Sequence, residues 1–161
     1  MIWRLFALTL CFAVGSASAA EKADLVRVTK SESRLYLLRG GKAFASFHVA
    51  FGASPDGHKQ KQGDERTPEG RYVLDAKNAH SAFYRSIHIS YPNSHDRESA
   101  KVRADDPGGA VMVHGQKNGF GWASVVTQRF NWTDGCIALS NSDMDQVWNA
   151  VDVGTPIEID P

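Results

Sequence analysis

One histidine and one cysteine, each beside a glycine, are the residues whose types and setting could do chemistry together. His114 ends an apolar run, residues 111–113, and is followed by Gly115, whereas Cys136 directly follows Gly135. A thiol and an imidazole are the two groups needed for nucleophilic catalysis, because the imidazole can take the proton of the thiol as the sulfur attacks. A glycine before the nucleophile would let a substrate approach the backbone closely, and the amide of Cys136 could then stabilise an oxyanion.

The first twenty residues affect how Cys136 is interpreted. Residues 1–20 contain one cation, Arg4, then an apolar run over residues 5–14 and a stretch of small residues over 15–20. This order is typical of a cleavable secretory signal peptide, and the apolar run is short for a membrane-spanning helix. We therefore predict that residues 1–20 are removed, and that the mature protein has no stable membrane span.

Cleavage would change both the charge balance and the cysteine count. The whole chain has 18 basic and 18 acidic residues and two cysteines; without Arg4 and Cys11, 17 basic and 18 acidic residues remain, a net charge of −1. Near-neutrality argues against a nucleic-acid-binding protein or a membrane binder that works through bulk charge. Cys136 would have no intramolecular partner in an oxidising compartment. It would be a buried small hydrophobe, an intermolecular disulfide partner or a reactive nucleophile.

Alternation of apolar residues and turn signals predict mostly strands in the rest of the chain. The predicted strands are residues 24–30, 34–39, 43–51, 71–75, 86–90, 110–114 and 156–160. Met144, Val147, Trp148 and Val151 form one apolar stripe, which predicts a short helix with capping residues at 140–142. The expected architecture is a single, mainly β domain, a sandwich or barrel-like pair of sheets with one or two short helices. It must bring the strand end at His114 to the loop before this helix.

Four segments carry motifs that occur together in one enzyme family. His114-Gly115 forms an HG pair, Thr133 to Ile137 reads TDGCI, Gly63 to Tyr72 reads GDERTPEGRY, and Ile89 to Arg97 contains SYPN and DR. These segments resemble the HG, [S/T]-x-G-C-[I/V] and GD-x-RTPEG-x-Y motifs of the L,D-transpeptidase catalytic domain, also called the YkuD domain. The SYPN..DR segment resembles one found in a bacterial branch of that family. The resemblance implies a β-sandwich of mixed sheets for residues 21–161.

The resemblance also implies an activity and a compartment. The family acts on peptidoglycan stem peptides in the bacterial cell envelope, so we expect a periplasmic protein with no metal and no organic cofactor. Cys136 would attack the carbonyl of the third stem residue and form a thioester. His114 would accept the thiol proton, oriented by the carbonyl of Gly115, and its imidazolium form would lower the pKa of the thiol. The amides of Gly135 and Cys136 would bind the oxyanion.

Two departures from the family pattern lie beside Cys136. Many members carry histidine where this chain has Asp134, and an acid at that place would raise the pKa of a thiol unless it points away. Many members carry arginine or asparagine where this chain has Ala138, so a charge that could hold a substrate carboxylate is missing. Both changes concern the acyl acceptor and the subsites. Thr133 and Asp134 are nevertheless candidates for substrate binding.

Residues of the SYPN..DR segment have both a functional and a structural interpretation. Tyr91 and Asn93 could line the substrate groove, or they could form a structural turn around the proline between them. Asp96 and Arg97 are more typical of a surface ion pair than of two residues that hold a ligand. Trp122 and Trp132 flank the cysteine loop. Core packing is the default interpretation for both, but one of them could form a wall of the cleft.

Several functions remain open on the same residues. A thioester can pass to an amine, which gives cross-linking, or to water, which gives an L,D-carboxypeptidase or an amidase that releases an attached envelope lipoprotein. A non-catalytic protein that binds peptidoglycan with an inert Cys136 is the alternative outside the enzymes. A zinc peptidase is disfavoured, because the other histidines lack ligand spacing. They are His48, His58, His80, His88 and His95.

Overall fold

The computed structural model describes residues 21–161, so the predicted signal peptide and Cys11 lie outside the described residues. The chain is mainly β, as predicted. The strands are β1 (Leu25–Thr29), β2 (Arg34–Arg39), β3 (Lys42–His48), β4 (Gly70–Ser81), β5 (Tyr84–Ile89), β6 (Met112–His114), β7 (Ile137–Ala138) and β8 (Thr155–Asp160). The α-helices are α1 (Ser94–Arg103), α2 (Ser124–Thr127) and α3 (Asn141–Ala150). No helix within residues 21–161 is both long enough and apolar enough to cross a membrane.

All eight strands belong to one mixed sheet with the order β3-β2-β1-β8-β4-β5-β6-β7. The β1–β8 and β6–β7 pairs are parallel, and the other pairs are antiparallel. The chain after β3 reaches the opposite edge, where Ala50 and Ala138 exchange two backbone hydrogen bonds of 2.9 and 2.8 Å. The sheet therefore curls until the chain that follows β3 meets the edge strand β7. The expected mainly β architecture with mixed strand pairing is thus present, as one continuous curled sheet.

Alternating burial along the central strands forms the core inside this curled sheet. Val26 and Val28 on β1 and Ile157 on β8 are fully buried, as the period of two requires. The predicted C-terminal helix is α3, which starts after Ser140, whose hydroxyl accepts a 3.1 Å hydrogen bond from the amide of Asp143. The apolar face of α3 packs into the core and fixes the chain that follows Cys136.

Helix α1 was not predicted from the sequence, because it has no apolar stripe. Ala100 is its buried apolar residue, and Val102 is exposed. The helix depends instead on a capping box, in which the side chain of Asn93 accepts from the Asp96 amide at 3.0 Å and the Asp96 carboxylate accepts from the Asn93 amide at 2.9 Å. Asp96 is buried and also accepts from the hydroxyl of Tyr72 at 3.0 Å. The predicted surface ion pair of Asp96 with Arg97 was therefore wrong.

Candidate active site

The parallel pairing of β6 with β7 brings His114 and Cys136 to the same place. His114 ends β6 and is opposite Ala138 on β7, two residues after Cys136. Because side chains alternate along a strand, Cys136 and His114 lie on the same side of the sheet. Both line one cavity of about 380 Å³. The register of this short strand pair thus brings together His114 and Cys136, which are 22 positions apart in the sequence.

The environment of His114 determines its protonation. Its Nδ1 atom lies 2.6 Å from the carbonyl oxygen of Gly115. A carbonyl only accepts hydrogen bonds, so Nδ1 carries the hydrogen and Nε2 has the free lone pair in the neutral ring. The ring is buried beside Phe83 and Trp132, with centroids 4.8 and 5.8 Å away. Burial lowers the pKa of His114, and the bond to Gly115 only partly opposes this, so the neutral form is favoured.

The glycine after His114 is required by what packs against it. A Cβ atom at Gly115 would lie 2.7 Å from Oδ1 of Asn141 and 2.9 Å from Cβ of Tyr84. That Asn141 oxygen accepts a 2.8 Å hydrogen bond from the amide of Gln116. Gln116 is itself buried, and its side chain donates to the carbonyl of Leu139 at 2.6 Å. These contacts fix the end of β6, and with it the position of the imidazole.

The loop before Cys136 is organised around the hydroxyl of Thr133. This hydroxyl accepts a 3.2 Å hydrogen bond from the Gly135 amide and donates one of 2.7 Å to the Cys136 carbonyl. Thr133 is buried and lines the cavity. The structure shows its contacts within the loop, whereas its expected contact with substrate stays a prediction. The Gly135 amide, one of the two expected oxyanion donors, is already engaged in this structure.

Gly135 packs directly on the GDERTPEG segment. Its φ is +122°, and a Cβ atom there would lie 2.5 Å from the carbonyl oxygen of Arg66. In the same segment, Asp64 accepts hydrogen bonds from the Lys59 ammonium and from the amides of Gln60, Lys61 and Arg66. Burial alone would raise the pKa of Asp64, but these four donors outweigh it and hold the pKa at about 2. The motif thus supplies a rigid backing for the cysteine loop.

We expect Gly135→Ala to damage both stability and reactivity. The added methyl group would meet the Arg66 carbonyl in a backbone conformation that disfavours side chains, so the free energy of unfolding should fall by about 2–4 kcal/mol. The rate at which Cys136 is alkylated in the folded protein should also fall, because the loop that carries the thiol must move. The free energy is measured by urea unfolding.

Gly154→Ala is the matched control for this variant. Gly154 also has a positive φ, +96°, but nothing lies within 4 Å of its Cβ position. Its substitution should cost only the backbone strain, about 1 kcal/mol. Equal losses in the two variants would contradict a specific contact between the loop and Arg66.

The thiol of Cys136 is held in a setting that favours its neutral form. Burial raises its pKa, Asp134 raises it further, and a backbone hydrogen bond at Met112 together with the charge of Lys59 lowers it. The net direction is upward, and burial of His114 disfavours the imidazolium form that the expected lowering requires. The effect of Asp134 has the direction expected from its charge. The resting pair is a thiol and an imidazole.

The remaining candidate residues divide between the cavity and the scaffold. Asp134 is exposed and lines the cavity that contains Cys136. Tyr91 is buried, and its hydroxyl donates to the carbonyl of Pro107 at 3.0 Å, while Asn93 caps α1. Neither Tyr91 nor Asn93 lines the cavity of Cys136, so the structure gives them the alternative, structural interpretation.

Of the two tryptophans that flank the cysteine loop, one lines the cavity of Cys136 and the other does not. Trp132 lines the cavity together with Phe83, which the sequence patterns did not single out. Trp122 is 78% exposed and is not among the lining residues. Trp132 and Phe83 thus form the aromatic wall of this cavity, beside the imidazole of His114.

A second, more polar cavity of about 720 Å³ adjoins the first. The two share Ala110 and Asp134. The second is lined by Lys59, Gln62, Gly63, Glu65, Asp106, Gly108, Gly109, Ala110 and Asp134. Its position was not predictable, because these residues come from three separate loops. Among residues 21–161, no group of three histidine, cysteine or acidic side chains is arranged to hold a metal ion.

Known proteins resemble this chain in sequence and in fold. Residues 23–159 match the model of the YkuD family, described as the L,D-transpeptidase catalytic domain. A curated protein of Escherichia coli (strain K12), named "Putative L,D-transpeptidase YafK", is 30% identical over 97 residues, which are 59% of this chain and 32% of that protein. The chain thus spans about a third of the length of the curated relative it matches.

Solved structures show the same fold. The helical cell shape determining protein Pgp2 from Campylobacter jejuni is 26% identical with a TM-score of 0.63, over 84% of this chain and 46% of that one. An L,D-transpeptidase from Xylanimonas cellulosilytica is 15% identical with a TM-score of 0.57, over 86% of this chain and 61% of that one. The family match covers nearly all the described residues, and the HG and TDGCI segments meet in one cavity. This chain therefore belongs to the YkuD family of L,D-transpeptidase catalytic domains.

Proposed function

We propose that this protein is a cysteine-dependent L,D-transpeptidase that acts on peptidoglycan stem peptides through a thioester acyl-enzyme. The observation that carries the proposal is the pairing of Cys136 with His114 in one cavity, where the Gly115 carbonyl holds the hydrogen on Nδ1. The free lone pair of Nε2 makes His114 a general base for the nearby thiol.

Acylation starts from the neutral pair. His114 takes the thiol proton on Nε2 while Sγ of Cys136 bonds to the carbonyl carbon of the third stem residue, and the carbonyl oxygen becomes an oxyanion. The Cys136 amide donates to this oxyanion, because the Gly135 amide is engaged by Thr133. The C–N bond then breaks, and the imidazolium gives its proton to the departing amine of D-alanine. The product is a thioester on Cys136.

Deacylation repeats these steps with a new nucleophile. His114, neutral again, removes a proton from an acceptor amine as the amine attacks the thioester carbonyl, and the thiolate leaves and is reprotonated. Aminolysis forms a cross-link between stems, whereas attack by water yields a trimmed stem or releases an attached lipoprotein. The exposed carboxylate of Asp134, at the junction of the two cavities, is suited to contact an incoming ammonium group.

The proposed site of action is the periplasm. The N-terminal sequence has the pattern of a cleavable signal peptide, and the family acts on a cell-envelope polymer. Cell-wall cross-linking or remodelling, with an effect on cell shape, is the corresponding biological role. Release of an envelope lipoprotein from the stem would identify that lipoprotein as the alternative partner.

The test incubates the protein with a carbapenem and, separately, with defined tetrapeptide and cross-linked muropeptides. We expect the mass of the carbapenem on the peptide that contains Cys136, and new cross-linked or exchanged stems in the muropeptide reaction. Tripeptide products alone would favour a hydrolase over a transpeptidase. An unmodified Cys136 with no change in any muropeptide would contradict catalysis and favour the non-catalytic peptidoglycan-binding protein.

A further inference from the structure

Lys59 is a cation buried beside the cysteine loop. The residue is only 3% exposed, and its Nζ atom donates to Oδ1 of Asp64 at 2.8 Å and to the carbonyl of Lys61 at 3.2 Å. An ammonium has three N–H donors, so one remains beyond these two contacts. A buried charge is expensive unless it is paired, and Asp64 supplies the partner.

The ammonium lies immediately behind the residue that precedes Cys136. Its Nζ atom is 3.5 Å from the position that a Cβ atom would occupy on Gly135. Lys59 also lines the polar cavity, which shares Asp134 with the cavity of Cys136. Of the described residues that line the two cavities, Lys59 is the only lysine or arginine.

We propose that Lys59 is a positioning residue for the reaction, whose buried ammonium stabilises the negative charge that develops on Cys136 and its loop during attack. This inference rests on the proposed function of Cys136. A fixed charge in a site with little water acts more strongly than one in solvent, and it needs no rearrangement as the reaction proceeds.

The other fixed charges around the cysteine are negative and oppose an anion there. Asp134 on the same loop is negative, and Glu65 and Asp106 bring two more carboxylates to the adjoining cavity. From β6, His114 contributes a neutral imidazole, because burial lowers its pKa. Among the described residues that line the two cavities, Lys59 is therefore the cation already present before His114 takes up the thiol proton. In agreement with this geometry, the charge of Lys59 lowers the pKa of the Cys136 thiol while burial and Asp134 raise it.

The experiment compares Lys59→Met with Lys61→Met in the full chain. Lys61 is in the same segment but exposed, so its variant removes one positive charge without touching the buried one. The rate of iodoacetamide alkylation is followed against pH on the peptide that contains Cys136. For Lys59→Met we expect a higher apparent pKa of the thiol and an alkylation rate at neutral pH reduced about threefold to tenfold. Lys61→Met should match the wild type.

The same variants are then acylated with a carbapenem. Acylation of Lys59→Met should be slower by a similar factor at neutral pH, because the negative charge that develops during attack loses a fixed counter-charge. A purely structural defect would lower the acylation rate without moving the alkylation profile. An unchanged alkylation profile in a folded Lys59→Met protein would overturn the proposal.

A second variant covers the possibility that Lys59→Met does not fold. Lys59→Met with Asp64→Asn leaves no unpaired buried carboxylate, and its alkylation profile should still shift upward, because Lys59 lies against the cysteine loop. Failure of both variants to fold would assign Lys59 a structural role and overturn the proposal. Absence of acylation in the wild-type protein would contradict the proposed function instead, while the alkylation profile still decides whether Lys59 acts on Cys136.

Discussion

Cys136→Ala should abolish the acyl-enzyme and reduce turnover of a tetrapeptide stem by about 10⁴-fold or more, to the uncatalysed level of the assay. The sulfur is the atom that bonds to the carbonyl carbon, and no other described cysteine is present to replace it within residues 21–161. Cys136→Ser keeps a hydroxyl in the same place, but its much higher pKa leaves His114 a harder proton transfer. We expect that variant to be nearly as inactive.

The loss in Cys136→Ala should be chemical and not structural. The thiol makes only weak polar contacts with the backbone near Ala110 and Met112, the former at 3.8 Å between Sγ and the carbonyl oxygen, and the side chain is partly exposed. Removing it should lower the free energy of unfolding by no more than about 1 kcal/mol. Mass spectrometry after carbapenem treatment and muropeptide turnover are measured beside urea unfolding. Substantial turnover by a folded Cys136→Ala protein would contradict the proposed nucleophile.

The chemistry of the site was more predictable than its geometry. His114 and Cys136 stood out because local signals mark them: a strand end, adjacent glycines and a capped helix just downstream. The strands were predictable because one buried face imposes a period of two. Which strands pair is a non-local property. The parallel register of β6 with β7, which sets His114 opposite Ala138, rests on a strand of two residues that carries almost no sequence signal.

The contacts that hold the scaffold around the site could not be predicted from the sequence, for the same reason. Helix α1 is held by the capping box of Asn93 and Asp96 and by the buried hydroxyl of Tyr72, so its sequence shows no apolar stripe. Lys59 reads as one more polar residue of a long loop, and only the fold shows that it is buried and paired with Asp64. Buried polar residues with a partner elsewhere in the fold cannot be recognised from sequence patterns, because their environment is set by residues distant in the sequence.

His114→Gln should reduce acylation at neutral pH by about 10²–10⁴-fold, the usual contribution of a general base. In the wild type the neutral imidazole removes the thiol proton during attack, so the rate does not depend on free thiolate. In the variant only the thiolate fraction of Cys136 reacts. Burial and Asp134 raise the pKa of this thiol, so that fraction is small at neutral pH.

The pH dependence of the two proteins should therefore differ in shape. Burial lowers the pKa of His114, so the wild-type rate should hold down to mildly acidic pH and then fall as the imidazole takes up a proton. The rate of His114→Gln should instead climb about tenfold per pH unit up to the raised pKa of the thiol. The ratio of the wild-type rate to the His114→Gln rate should therefore fall steadily as the pH rises. Carbapenem acylation measured by stopped-flow absorbance from acidic to alkaline pH gives both profiles.

His80→Gln is the matched control, because His80 is exposed on β4 and does not line the cavity of Cys136. Its profile should overlay the wild type. A constant ratio between the wild-type and His114→Gln rates at every pH would mean that His114 only supports the loop and takes no proton. A ratio that narrows with pH cannot come from a distorted cavity, since distortion does not depend on the ionisation of the thiol. The shape of the two profiles therefore separates proton transfer from packing, even though His114 is buried against Phe83 and Trp132.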